Sequence, residues 1–126
     1  MPLQRLAAAL GSAMTVAVDD DALTVTHAGT VASLRVVTIA EDLEMVSLTQ
    51  PLAWDLVLDN EIRERVLAHA GATMLGSVVL VPRSADQADV MLRYNFPAAG
   101  LSDDALCTLI MMVLSMGADV RADLTS

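Results

Sequence analysis

Apolar residues recur along this chain with two different periods, and each change of period marks an element. Leu3, Leu6, Ala7 and Leu10 fall at helical spacing, with Gly11 as the stop. The period then shortens to two. Residues 14–18 form a short strand candidate, Asp19-Asp20-Asp21 a turn, and residues 22–26 put Leu23 and Val25 on one strand face. Ala28-Gly29 turns the chain into residues 31–39, rich in β-branched side chains. Glu41-Asp42 turns it again, into an alternating strand over residues 43–49. These segments predict an antiparallel meander.

Pro51 is expected to stop that sheet. The run Leu52-Ala53-Trp54-Asp55-Leu56-Val57-Leu58 reads as an irregular connector or as a short helical turn. Asp59 is a good helix cap, Ile62, Val66, Leu67 and Ala70 form an apolar stripe, and Glu61 and Arg65 pair at i,i+4. Gly71 is the expected stop. Gly76 precedes residues 77–81, whose nearly continuous apolar character predicts a central strand covered on both faces. Val90, Leu92, Tyr94 and Phe96 alternate with Met91, Arg93 and Asn95 in a further strand, and residues 97–100 form a loop. Ser102 caps a last helix, with Asp103 and Asp104 favouring its dipole, and residues 121–126 are expected to fray. The order is α, three or four strands, α, two strands, α. This is an α+β class of antiparallel sheet packed with helices, α-β-β-β-α-β-β-α when three strands are counted first, in one domain of 126 residues.

The last helix stands apart from the other elements. From Leu106 to Met116 it carries no charge, whereas an ordinary surface helix shows an apolar stripe and a charged face. One side is expected to meet the sheet through Leu106, Leu109, Ile110 and Val113, against residues 78–81, Val90, Leu92 and Phe96. The other side, with Met111, Met112 and Met116, must meet something else. These methionines read as an adaptable binding surface or as core and subunit interface.

Composition narrows the partners. Apolar residues make up 55% of the chain, which excludes disorder. The net charge is -9 and all seven basic residues are arginines, scattered without a patch, so neither nucleic acid nor an anionic membrane surface is an expected partner. The apolar stretches 66–82 and 106–116 are marginal or short for a bilayer span. The first residues lack the pattern of a signal peptide, and the lone Cys107 fits a reducing cytoplasm.

Candidate chemistry is sparse. Asp19-Asp20-Asp21 lacks the spaced ligands of a calcium loop and reads as a solvated turn. His27, His69 and Cys107 show no metal-ligand spacing, and neither a metal nor a cofactor is expected. Cys107 has apolar neighbours, with acids one turn before it, and reads as packing rather than as a nucleophile. Asp55 and Asp59 beside Trp54 read as capping and surface residues, with acid–base work as the alternative. Arg93 lies opposite Leu92 and Tyr94. It reads as a cross-strand ion pair, with Glu44 a candidate mate, or as an anchor for a client.

The motif Leu92-Arg93-Tyr94-Asn95-Phe96-Pro97-Ala98 leads into Gly100-Leu101 and an acidic helix start. With Leu52-Ala53-Trp54-Asp55-Leu56, Arg63-Glu64-Arg65-Val66 and Gly76, it resembles the YbjN-like family and its actinobacterial relatives. These are small domains with the fold of type III secretion chaperones. The resemblance implies an α+β sandwich, often dimeric, that binds peptides or supports stress responses or secretion, and it implies no enzyme chemistry. The expectation is a non-enzymatic, cytoplasmic, homodimeric module for a protein or peptide client, with Arg93, Met111, Met112, Met116 and Trp54 as contact residues. The alternative is a small-ligand binder or enzyme with a pocket near Trp54, Asp55 and Arg93.

Overall fold

The alternating segments pair into one six-stranded antiparallel sheet in the order β1-β2-β3-β4-β6-β5. The structure, a computed structural model, describes residues 3–11, 13–27, 29–98 and 100–125. Its elements are α1 (Leu3–Leu10), β1 (Thr15–Asp19), β2 (Ala22–His27), β3 (Thr30–Ala40), β4 (Leu43–Val57), α2 (Asn60–Ala72), β5 (Ser77–Pro82), β6 (Gln87–Pro97) and α3 (Asp103–Leu124). Four strands therefore precede α2. Ala28, part of an expected turn, and Ala99 and Ser126, at expected loop and tail positions, lie outside the described residues.

Register explains the two faces of the sheet. Leu23 faces Leu34, Leu34 faces Leu48, and Leu48 faces Tyr94, so one apolar row crosses four strands. α3 lies over that row, buried through Leu106, Ile110, Val113, Leu114, Val120 and Leu124. α1 packs between α3 and the β1–β2 edge, and α2 packs on β5 and α3. α3 is long and apolar enough to cross a bilayer by length and composition, although sequence reading put its apolar stretch short of a span. In the fold it is the main helix of the core.

Tertiary context overrides several local signals. Pro51 does not stop the sheet, and 52–58 is neither connector nor helical turn: β4 runs on to Val57 with bulges after Pro51 and Ala53. β3 pairs with β4 only as far as Ser33 opposite Thr49, so the missing Pro51 N–H removes no bond from that ladder. β5 is an edge strand, not a central one. Of its apolar run only Val78 is buried, under the helices, while Val79, Leu80 and Val81 are half-exposed. α2 continues through Gly71 and stops at Thr73, whose N–H and hydroxyl both donate to the His69 carbonyl. Leu67 of its expected stripe is exposed, while Val66 is buried. The expected frayed tail is helical through Leu124, which packs into the core.

Polar groups pin the helices in place. Ser102 accepts from the Ala105 N–H at 3.1 Å, and Asp59 accepts from the Ile62 N–H at 2.8 Å. Arg5 joins α1 to Asp103 of α3 at 3.0 Å. His69 Nε2 lies 2.7 Å from Asp123 Oδ2, and Arg65 donates to the Asp123 carbonyl at 3.2 Å, so α2 is fastened to the end of α3. Gln50 is a fully buried polar side chain on the helix-covered face. Its Nε2 donates to the Leu114 carbonyl at 3.2 Å, and it lies against Gly117, where any Cβ would collide with it.

Candidate functional site

Three surfaces compete as contact sites, and the last helix supplies the least of them. Met111 and Met116 are half-buried: they pack against the core and also line the depression beside Met112. Of the three methionines singled out, Met112 alone faces outward, 56% exposed. Thr108, Ser115 and Asp119 stand among its neighbours there, beside Leu109, Met111 and Met116, so the helix has a thin polar flank after all. The sequence concealed it because Thr and Ser carry no charge, and their positions are legible only once the sheet fixes the helix rotation. Shallow depressions of about 450 and 530 Å3 lie beside Met112.

The second surface is the sheet face opposite the helices, which no element covers among the described residues. Its middle is polar: Ser33 and Arg35 on β3, Ser47 and Thr49 on β4, Arg93 and Asn95 on β6. At the β3–β4 hairpin it turns apolar. Val37, Ile39, Leu43 and Met45 gather around a depression of about 560 Å3, with Ile39 61% exposed. Sequence reading missed this cluster as a contact site. The signal was present in Val36-Val37-Thr38-Ile39, where apolar residues occupy both faces of one strand.

The third surface is a groove of about 580 Å3 at the opposite end of β4. There β3 leaves β4, and the gap is lined by Val31, Pro51, Leu52 and Trp54, with Arg121 of α3 at its side. Trp54 is 56% exposed. Arg121 donates to the Gly29 carbonyl at 3.3 Å and makes no ion pair among the described residues. A buried carboxylate fixes the strand beside this groove. Asp89 accepts the Asp55 N–H at 2.9 Å and the Arg83 Nε–H at 2.9 Å, while Arg83 also reaches Asp55 at 3.4 Å. That clasp holds Asp55 at φ 52°, in the left-handed region, where the second bulge re-aims the chain.

The structure does not gather Trp54, Asp55 and Arg93 into one pocket. Asp55 turns to Arg83, and Arg93 lines a separate depression with Gly76 and Tyr94. Arg93 is no cross-strand mate of Glu44: it faces Thr49 and Ser77, and Glu44 faces Thr38. Gly76 has a precise steric task, because at φ 78° its backbone lies so close to the Arg93 carbonyl that a Cβ would stand 2.9 Å from it. His27 ends β2, and His69 bonds to Asp123, so the two histidines serve different joints. Cys107 is half-buried beside Met111, 4.0 Å between sulfurs. The three aspartates at the β1–β2 turn are exposed.

No family model matches the chain, and no curated protein matches it. Among solved structures it is similar to the crystal structure of YbjN from E. coli, described as a candidate transcription regulator. The TM-score is 0.64 at 11% identity, over 98% of this chain and 88% of that one. At such low identity the likeness speaks to architecture, and the architecture of this chain is a YbjN-like α+β fold.

Proposed function

We propose that this chain is a non-enzymatic, chaperone-like module of the cytoplasm that binds protein segments and pairs with a second copy of itself. The observation that carries the reading is the uncovered sheet face with its apolar hairpin end. A half-solvated antiparallel sheet ordinarily shows polar side chains outward. Here Val37, Ile39, Leu43 and Met45 cluster on the wet side instead, and a contiguous apolar patch marks a contact surface. The likeness to a candidate regulator supports a protein that acts through contacts, although fold alone does not fix function.

Self-pairing is assigned to the hairpin end rather than to α3. A stable dimer buries about 800 Å2 per partner. The hairpin patch gathers four apolar side chains on the uncovered sheet face, whereas on the outer side of α3 Leu109, Met111, Met112 and Met116 are interleaved with Asp104, Thr108, Ser115 and Asp119. Light scattering over a concentration series tests the reading. The expected mass is twice the protomer's 13.3 kDa, falling to the protomer's for Ile39→Glu. A wild-type protein that stays monomeric at every concentration overturns the pairing. Binding to a permanently unfolded model protein tests the client half of the proposal, and no measurable binding overturns it.

A further inference from the structure

We infer that two copies pair face to face and crosswise at the β3–β4 hairpin, so that the acidic hairpin tip of each lies over Arg35 of the other. The inference rests on the self-pairing reading above and gives the seam its orientation and its polar contacts. Two sheets that pack face to face about a dyad have only two simple arrangements, because the axis lies in the plane between them. An axis along the strands brings equal levels together and lays tip on tip. An axis across the strands, at the level of Thr38, lays β3 over β3 and β4 over β4 in opposite directions.

The apolar patch fits the crosswise arrangement. Val37 is level with Met45, and Leu43 stands opposite Ala40, nearer the tip. Reversal about Thr38 therefore sets Val37 against Ile39 of the second copy, and Met45 beside its Leu43. Charge decides between the two arrangements. The tip carries Glu41 and Asp42, both exposed. Tip on tip would gather the Glu41 and Asp42 carboxylates of both copies, in a chain that already carries -9, and like charges across an interface are costly. The crosswise axis instead places position 41 over position 35. Each is three residues from Thr38, and so about 10 Å from the axis at about 3.3 Å per residue. Position 35 is an exposed arginine on the uncovered face, between Ala22 and Ser47. Packed sheets stand about 10 Å apart, a gap that arginine and glutamate side chains close from opposite sides in a charge-assisted hydrogen bond. The dyad makes the contact twice. Asp19, Asp20 and Asp21 stand at the same end of the sheet, beyond β2, and none is paired with Arg35 among the described residues. Such rim contacts choose the orientation more than they add affinity.

Sedimentation equilibrium of the full chain measures the pairing constant. Arg35→Glu is expected to weaken pairing about tenfold, and Glu41→Arg by less, because Asp42 remains. The double variant restores opposite charges at both contacts and should recover most of the loss. Glu41→Arg is decisive, because it lowers the net negative charge and would relieve a tip-on-tip pair. Stronger or unchanged pairing for that variant overturns the inference. So does an equal loss from Arg63→Glu on α2, which makes the same change in net charge as Arg35→Glu far from the seam. In a Cys107→Ser background, a short bismaleimide should join copies that carry both Arg35→Cys and Glu41→Cys. Cross-linking of Glu41→Cys alone assigns tip on tip and overturns the inference. Arg35 and Glu41 are exposed, so the dilute variants are expected to keep their melting temperature, and recovery in the double variant excludes misfolding as the cause of the single losses. If Ile39→Glu breaks the pair and the charge variants do not, self-pairing stands and the crosswise seam falls. A wild-type chain that stays monomeric overturns both.

Discussion

The two faces of this sheet are built from the same strands and obey different rules. On the covered face, Leu23, Leu34, Leu48 and Leu92 are inaccessible to water, and one amide, Gln50, interrupts them. On the bare face the same strands present Ser33, Arg35, Ser47 and Thr49, then change to Val37, Ile39 and Met45 within a few residues. The covered face is uniform because one core must exclude water. The bare face is patchy because each patch meets a different neighbour. The contrast teaches that function is to be sought where the outward half of the alternation breaks, not where the inward half is most apolar.

The contrast is sharpest in the response to truncation. Leu48→Ala, on the covered face of β4, is expected to cost 2–5 kcal/mol in denaturant unfolding, through lost transfer energy and a cavity. Thr49→Ala, one residue along and facing outward, should change stability by less than about 0.5 kcal/mol. Equal effects would show that the bare face is buried in the working protein.

Next in size is the notch between Gln50 and Gly117. Alanine ordinarily stabilises a helix interior by about 1 kcal/mol over glycine. Here Gly117→Ala is expected to destabilise by 1–3 kcal/mol, because its Cβ overlaps the buried amide. Adding Gln50→Ala should recover much of the loss. A melting temperature that rises for the single variant would sink this account of the contact.

The clasp beside the groove comes third. Asp89→Ala strands the Asp55 N–H and leaves Arg83 without its buried partner, an expected loss of about 1–3 kcal/mol. Amide hydrogen exchange at Asp55 should rise with it. Unchanged exchange there would show that the clasp does not hold β4 in its bulged course.

The smallest expected effects fall on exposed side chains. Met112→Glu and Ile39→Glu should each leave protomer unfolding within about 0.5 kcal/mol of the original. They should differ in assembly: Ile39→Glu dissociates the pair and Met112→Glu does not. The reverse outcome would move the seam from the sheet to α3.

Much of this architecture was legible in the chain. Alternation at Leu23 and Val25, and at Val90, Leu92 and Phe96, located the strands and their inward face, and Ser102 and Asp59 marked two helix starts where the caps form. What stayed hidden depends on partners distant in sequence. Pro51 stays within a strand because β3 has already departed, which no local pattern records. β5 resembles a buried central strand by its apolar run, yet only Val78 is covered, and its place in the sheet order is set by topology. At the candidate site, Trp54 was conspicuous as the lone tryptophan. Arg121 was not, because its neighbour Gly29 lies 92 residues away. Met111, Met112 and Met116 could not be told apart before the sheet fixed which side of α3 faces inward.

The amide of Gln50 has a further consequence for how α3 finds its seat. A helix whose buried surface is nearly all aliphatic can glide along a sheet with little change in the area it hides. Displacement by one turn would bring Val113 or Val120 over the Gln50 side chain in place of Gly117, and would part its Nε2 from the Leu114 carbonyl. A single side chain thereby acts as a detent, giving an otherwise slippery helix one preferred stop.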